Sequence, residues 1–219
     1  PVYFVPDTLM ERSSTSVFMI NDEKGNMVGS LNKVPGYMES FSIREKINEK
    51  GKEAFETEVK KSFSQEVSLA KFKLDSLNKP EELVWINYDF DILDPKEDII
   101  YFNPLLASEG YKENPFKSAQ RLYPVEMPYG FDRAYNLQME VPEGYVVDEL
   151  PKSMVVKMNE AEEGIFEYRI SQSGSSISFR CRIQMKRAYF DPDEYEMLRE
   201  FFNMIVAKES EQIVFKKKK

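Results

Sequence analysis

The chain has 219 residues, with 30 basic and 38 acidic side chains and a formal net charge of −8 at pH 7. This length predicts one large domain or two small ones, and the acidic balance argues against a general nucleic-acid-binding protein, which needs an excess of cations. The sequence contains no histidine and one cysteine, Cys181. These counts exclude Ser-His-Asp and Cys-His catalysis, a zinc site built on His or paired Cys, and a disulfide within the chain.

The composition indicates the cellular compartment of the protein only in part. The longest apolar runs are far shorter than the ~20 residues that a membrane-spanning helix needs, so we expect no membrane span. One cysteine fits a reducing cytosol and a bacterial periplasm equally well. The sequence opens at Pro1 without an initiator methionine or an apolar leader, and we expect the chain to be a piece of a longer protein.

The first 64 residues predict a hairpin followed by a helix. An extended run over 14–20 is followed by turn residues, and a return strand begins at Met27. Apolar residues recur every four positions over 52–63, which is typical of an amphipathic helix. Gly51 is expected to separate this helix from the apolar residues that precede it.

Beyond residue 64 the apolar residues recur at every second position instead of every fourth. Alternation over 84–92 predicts a strand with one buried face, and 98–102 gives another short strand. Prolines between 104 and 128 predict an edge or a crossing between sheets, because proline cannot donate a ladder hydrogen bond. Alternating strands then follow over 135–141, 154–158, 166–170 and 177–185. Their spacing predicts an antiparallel meander with one solvated face.

The end of the chain predicts a helix and a last strand. Asp191 is placed to cap the helix, Pro192 suits its first turn, and Glu194 completes a capping box. The helix should run to about Ala207 and cover a sheet, and residues 212–215 form the final strand.

Together these patterns predict a mainly β fold: an antiparallel β-sandwich with an N-terminal hairpin and helix segment and a C-terminal covering helix. We divide the chain into a linking segment, residues 1–64, and a β-sandwich domain, residues 65–219. Two packed sheets rather than a barrel are inferred from the number of strands and from the proline-rich crossing.

Candidate chemistry is sparse. Cys181 shares the parity of the apolar residues on its strand and is expected to pack inward as a small hydrophobic residue. Asn87, Asp89 and Asp91 share one strand face, where oxygen ligands suit either Ca²⁺ or a sugar. The same residues also fit a solvated acidic face, which is the interpretation that we favour. We therefore predict no catalytic residue, no metal site and no cofactor.

Aromatic residues of the proline-rich stretch allow a second binding hypothesis. Tyr123 and Tyr129 are the members that we single out as candidate binding residues. Such side chains either form a platform that stacks on sugars or anchor an irregular segment against the sandwich. We favour the anchoring interpretation and keep the platform as an alternative.

Several short signatures occur together in the second half of the sequence. They are Asn103-Pro104-Leu105-Leu106, Asn114-Pro115-Phe116, Arg121-Leu122-Tyr123-Pro124-Val125, Val141-Pro142-Glu143-Gly144-Tyr145, Leu198-Arg199-Glu200-Phe201-Phe202 and Gln212-Ile213-Val214-Phe215-Lys216-Lys217. This set resembles the C-terminal region of bacterial exported proteins that carry a domain of unknown function, a transglutaminase-like (cysteine-protease-like) core and a C-terminal β domain, also of unknown function. The resemblance covers most of residues 95–217.

The resemblance implies the β-sandwich tail of a periplasmic or exported protein, whose partner is the upstream transglutaminase-like domain of the same protein. A protein or glycan of the cell envelope is a further expected partner. The family's core works through a Cys-His-Asp arrangement, and without histidine no residue of this chain can be assigned to it. The core is expected upstream of Pro1, unless this copy has lost it.

We therefore predict a non-catalytic structural or interaction module attached to a transglutaminase-like core. The first alternative is a carbohydrate-binding module that uses exposed aromatics and the acidic face around Asp89 and Asp91. The second is a carboxylate-based hydrolase, which requires two acidic groups ~5–10 Å apart in a cleft.

Overall fold

The computed structural model describes residues 9–63, 67–92, 97–107 and 109–218. Within these ranges strands dominate and three α-helices accompany them, so the predicted mainly β class is confirmed. The elements are β1 Met10–Asn21, β2 Met27–Val34, α1 Tyr37–Lys50, α2 Lys52–Ser62, β3 Val67–Asp75, β4 Trp85–Ile92, β5 Ile99–Phe102, β6 Val125–Glu126, β7 Gly130–Glu140, β8 Tyr145–Glu149, β9 Met154–Lys157, β10 Gly164–Ser173, β11 Ser176–Met185, β12 Tyr189–Phe190, α3 Tyr195–Glu209 and β13 Ile213–Lys217.

Most strands belong to one eight-stranded sheet with the order β3-β4-β2-β1-β7-β11-β10-β9. A three-stranded sheet, β5-β13-β8, and a two-stranded pair, β12-β6, complete the strands. All pairs of the large sheet are antiparallel except β1–β7, which run parallel, so the sheet is mixed. Strands β9, β10 and β11 form the expected meander, whereas β7 pairs with β11 instead of β9, since the chain passes through β8 in the smaller sheet.

The predicted hairpin is present as β1 and β2. The carboxylate of Asp22 accepts hydrogen bonds from the backbone N–H groups of Lys24 and Asn26, both at 2.8 Å. Gly25 has a φ of 81°, a conformation that glycine adopts without steric cost. Because β1 also pairs with β7, the hairpin shares a sheet with strands from beyond residue 64. The proposed boundary at that residue stays a prediction.

Two helices cover one end of the large sheet. Helix α2 coincides with the predicted helix, and Gly51 separates it from α1 as expected. The aromatic ring of Phe55 lies 6.2 Å from that of Phe72, and the ring of Phe63 lies 6.3 Å from that of Tyr88. These contacts bury the apolar stripe of α2 against β3 and β4.

The large sheet has a buried inner face and a solvated outer face, as the alternating pattern predicts. Inward-facing residues of five strands are buried: Val17, Met19, Leu31, Ile86, Tyr88, Phe90, Tyr135, Leu137, Met139, Ile177, Phe179, Cys181 and Ile183. The small sheet meets this inner face, since Phe102 and Phe215 border the same cavity as Met19 and Met139. This arrangement forms the two-layered core.

Helix α3 closes the core next to the small sheet. A single 3-10 turn, Pro192–Glu194, precedes it, and the Glu194 carboxylate accepts the Asp191 N–H at 2.9 Å. The predicted apolar stripe is buried, with Leu198, Phe201 and Phe202 at most 1% exposed. Within the described part of the chain, every helix is too short or too polar to cross a bilayer.

Candidate functional site

The predicted acidic face lies on the outer side of β4. Asn87 and Asp89 are partly exposed and Asp91 is exposed, and Trp85 lies on the same side with 47% of its surface exposed. The ammonium of Lys71 lies 2.8 Å from a carboxylate oxygen of Asp89. Within the described ranges, no three acidic or cysteine residues are grouped so that they could hold a metal ion. This face of β4 is exposed to solvent, and Lys71 and Asp89 form an ion pair on it.

The two predicted tyrosines lie on other elements. Tyr123 is 79% exposed in the loop before β6. Tyr129 directly precedes β7, where partial burial and then the carboxylate of Glu11 raise the pKa of its phenol. The strand register places Asp91 near the opposite end of β1 from Tyr129, roughly 36 Å away along the strand direction. The structure thus groups the three β4 residues and separates the tyrosines from them.

A row of polar side chains crosses the outer face of five neighbouring strands. Strand register sets Asn87, Asn32, Ser16, Asn136 and Arg180 side by side on β4, β2, β1, β7 and β11. The Asn32 amide donates to the side-chain oxygen of Asn87, and the Arg180 guanidinium donates to that of Asn136 at 3.0 Å. Each amide and guanidinium has further donors or acceptors beyond these bonds. The row therefore offers hydrogen bonds to a ligand.

One end of this row borders a groove of about 530 Å³ on the outer face over β1, β7, β11 and β10. At its edge, the Ser153 hydroxyl donates to the carbonyl of Ile170 at 3.1 Å and accepts the N–H of the same residue at 2.9 Å. We call this cavity the outer groove. Its main polar lining residues are Ser16, Asn136, Gln138, Arg169, Ser178 and Arg180.

Positive charge lines the outer groove, and an exposed aromatic ring lies beside it. The side chains of Arg169 and Arg180 are 61% and 41% exposed. A guanidinium nitrogen of Arg169 lies 3.7 Å from one oxygen of Glu167, and a guanidinium nitrogen of Arg180 lies 3.9 Å from the same oxygen. Two cations thus share one carboxylate in a chain of net charge −8. Phe18, 51% exposed, lies on the same side of β1 and pairs in register with Gln138.

A second cavity of about 270 Å³ lies between helices α1 and α2 and the inner face of β2 and β4; we call it the inner cleft. The ammonium of Lys33 lies 2.9 Å from Glu39 and 3.1 Å from Glu109. The Thr15 hydroxyl donates to the other oxygen of Glu109 at 3.2 Å. Below these charges the walls are apolar, with Leu31, Ile43, Phe55, Val59, Ile86 and Tyr88.

The carboxylates of Glu39 and Glu109 in the inner cleft are both paired with Lys33. The two carboxylate oxygens lie no more than about 6 Å apart, since both contact the same nitrogen, so the pair invites comparison with the two carboxylates of a retaining glycosidase. The ammonium of Lys33 occupies the space between them, however, where a glycosidase holds its sugar. Burial lowers the pKa of Lys33, but the attraction of Glu109 and Glu39 outweighs it, and the pKa is raised. Lys33 therefore stays protonated and is a poor nucleophile.

Cys181 lies inside the fold, as its parity predicts, with 4% of its surface exposed. Its thiol donates a hydrogen bond to the Glu209 carboxylate at 3.5 Å and borders a cavity of about 20 Å³, large enough for one water molecule. Burial and then the charge of Glu209 raise the pKa of the thiol well above its ordinary value. The acidic neighbour thus opposes the thiolate form that a nucleophilic cysteine needs.

Sequence reasoning missed the residues of the outer groove. The sequence assigns no role to Ser16, Arg169 and Arg180, which line it, or to Phe18 beside it. The available signal was their position on the polar side of alternating strands. That signal gives the face of a residue but not which strands are neighbours, and the groove depends on the parallel pair β1–β7.

Comparison with known proteins gives a family. The sequence profile of a family described as "Domain of Unknown Function with solved-structure structure (DUF3858)" matches residues 98–215, more than half of the chain. A search of the curated proteins found no match. Among solved structures, the chain is similar to the crystal structure of a "putative protease" from Parabacteroides distasonis, with a TM-score of 0.45 and 16% identity over 55% of this chain. The match covers 24% of that chain, so this protein corresponds to about a quarter of its length.

Proposed function

The chain belongs to the DUF3858 family of domains of unknown function, and we propose that it is a non-catalytic interaction module of a larger protein. In this proposal the catalysis belongs to a transglutaminase-like core encoded upstream, and the whole protein is exported to the bacterial periplasm or envelope. The signatures that resemble such proteins lie in residues 95–217, which is nearly the range that the family profile matches.

The burial of the Cys181 thiol and its hydrogen bond to a carboxylate are the main support for a non-catalytic role. A transglutaminase-like enzyme acts through a thiolate, which a neighbouring cation or base stabilises. The only thiol of this chain is buried and donates to a carboxylate that raises its pKa. The chain also has no histidine to serve as the base. These features support placing the chemistry in another domain.

An exposed apolar patch on α1 is the surface that we assign to docking on the core. Tyr37, Met38 and Phe41 are 60%, 51% and 57% exposed, and their helical spacing places them on one side of α1. The Glu11 carboxylate accepts the N–H of Met38 at 2.9 Å, so the start of β1 lies beside this α1 patch. A domain joined to the chain ahead of β1 would therefore be tethered to the described part of the chain at a point close to this patch. Exposed apolar side chains that neighbour one another on a helix favour a protein partner.

The first experiment measures turnover by the isolated chain. Purified protein is assayed for hydrolysis of a fluorogenic casein and for incorporation of dansylcadaverine, with Cys181→Ser as the matched control. We expect no turnover above background in either protein, because the thiol is protonated and shielded. Turnover that is abolished by Cys181→Ser would refute the proposal.

The second experiment tests the docking surface and the identity of the partner. The reading frame upstream of Pro1 is sequenced, and any Cys-His-Asp core that it encodes is purified and titrated with this chain. We expect the double variant Tyr37→Ser/Phe41→Ser to bind the core about ten-fold more weakly, since aromatic anchors dominate such interfaces. Tyr101→Ser is the matched control, because Tyr101 is 60% exposed on β5. A reading frame without such a core, or equal affinity of all variants, contradicts the proposal.

A further inference from the structure

The arginines of the outer face differ in how completely their charge is compensated. Arg182 holds Asp132 through two hydrogen bonds of 2.8 Å each, the geometry of a strong bidentate pair. Arg169 and Arg180 instead share Glu167, at distances of 3.7 Å and 3.9 Å that are too long for such bonds. Arg180 also donates to Asn136. Both guanidinium groups keep further N–H donors that can bind an anion above the outer groove, whereas Arg182 commits its Nε and Nη2 donors to Asp132.

The position of the groove within the sheet limits the kind of ligand. A peptide usually adds to an edge strand, where unpaired backbone groups provide its hydrogen bonds. The outer groove lies on β1, β7 and β11, which are paired on both sides, and on the part of β10 beyond its pairing with β9. There the Ser153 hydroxyl occupies both the N–H and the carbonyl of Ile170, so a peptide cannot add to these groups. Recognition must then rely on side chains that project from the face of the sheet.

The side chains that project there suit a sugar polymer. Ser16, Asn136, Gln138 and Ser178 carry hydroxyl and amide groups that both donate and accept, like the hydroxyl groups of a sugar. Neighbouring strands lie ~4.8 Å apart, close to the length of one pyranose ring, so a chain crossing the strands meets one polar side chain per sugar. Phe18 adds an exposed ring that can stack on the apolar face of a sugar.

We propose that the outer groove binds an acidic oligosaccharide, with a uronate carboxylate held by Arg169 and Arg180 and a neighbouring sugar stacked on Phe18. This inference is independent of the core-docking role, because the α1 patch belongs to a helix on the opposite side of the sheet. It also moves the carbohydrate hypothesis from Asp89 and Asp91, whose negative charge would repel an acidic sugar, to a positively charged surface.

The test is a calorimetric titration with two acidic probes, hexagalacturonate and a hyaluronan hexasaccharide. We expect Arg169→Gln and Arg180→Gln each to weaken binding about ten-fold, because a charge-assisted hydrogen bond is lost. Phe18→Ser should weaken it about three-fold. Arg12→Gln is the matched control: Arg12 is exposed on the outer face of β1 but does not line the groove, so affinity should stay unchanged.

Two further arms separate charge recognition from a general effect. Glu167→Gln should tighten binding about three-fold, because it releases both guanidinium groups from their shared carboxylate. Carboxyl-reduced, neutral hexasaccharides should bind about ten-fold more weakly than the acids. All of the substituted side chains except Glu167 are well exposed, and unchanged thermal unfolding of each variant confirms an intact fold.

Three results would overturn the proposal. They are no saturable binding of either acidic probe, affinity that Arg180→Gln leaves unchanged, and tighter binding of poly-glutamate than of the acidic sugars. None of these results depends on the upstream core, so this proposal can fail while the interaction-module proposal stands, and the reverse also holds.

Discussion

Glu209, the last residue of α3, is a buried carboxyl group whose ionisation should destabilise the fold. Only 4% of it is exposed, and its carboxylate oxygens accept the N–H of Tyr111 at 2.6 Å and the thiol of Cys181 at 3.5 Å. Burial raises its pKa from an ordinary value of 4.5 to about 7, although these hydrogen bonds and the charge of Arg133 act in the other direction. The partial negative charge at a helix C-terminus also disfavours an anion there.

The sign of the pH dependence follows from which state holds the proton. Between the ordinary pKa and about 7, the folded chain keeps Glu209 protonated while the unfolded chain has lost that proton. The contribution of Glu209 to the free energy of unfolding is therefore fully present below pH 4.5 and is lost as the pH rises through 7. At about 1.4 kcal/mol per pKa unit, the loss amounts to about 3 kcal/mol.

The test is the substitution Glu209→Gln. The free energy of unfolding of the variant and of the wild type is measured with urea at several pH values between about pH 5 and pH 8. The amide keeps an acceptor for the Tyr111 N–H and cannot ionise, so the variant should gain about 3 kcal/mol on the wild type across this range. Glu196→Gln, an exposed carboxyl on the same helix, controls for the loss of one charge. A Glu209→Gln difference that is constant with pH would refute the reasoning.

The remaining predictions concern packing and accessibility. Gly29→Ala places a Cβ 2.5 Å from the ring of buried Phe90, and urea unfolding should show a loss of about 1–3 kcal/mol. Phe202→Ala empties a site that is 1% exposed, and the same assay should show a loss of about 3–5 kcal/mol. Mass spectrometry after iodoacetamide treatment should find Cys181 unmodified in the folded protein and alkylated in urea. A chain reduced to 98–219 loses β1 and exposes the edge of β7, so it should aggregate on size-exclusion chromatography and lack a cooperative thermal transition.

The sequence predicted those parts of the fold in which a local pattern decides the structure. Ile86, Tyr88 and Phe90 alternate with polar residues, and all three are buried on the inner face of β4. Helix α1 was not predicted because its apolar residues do not form one stripe. Phe41 faces outward, whereas Ser40 is fully buried, its hydroxyl accepting the N–H of Val84 and donating to a backbone carbonyl.

The candidate site was less predictable because it depends on pairs of strands that are distant in sequence. Alternation correctly placed Asp89 and Asp91 on one face of β4 and turned Cys181 inward. It could not show that Cys181 meets Glu209, since the end of a helix becomes a neighbour of a strand only through tertiary packing. Nor could it show that Ser16 adjoins Asn136, because parallel pairing leaves no hairpin or turn signal between the two strands.

The parallel pair β1–β7 also determines which part of the chain the outer groove requires. The family profile matches the part of the chain that contains Asn136 on β7, Arg169 and Arg180. Ser16 and Phe18 on β1 lie outside that range. The charged residues of the groove therefore belong to the family's own domain. By adding β1 to the edge of β7, the hairpin supplies Ser16 in the lining and Phe18 beside it. Because β1 forms one wall of the groove and also completes the sheet, binding and folding depend on the same strand. An acidic-glycan site of this design requires the hairpin and the family domain together.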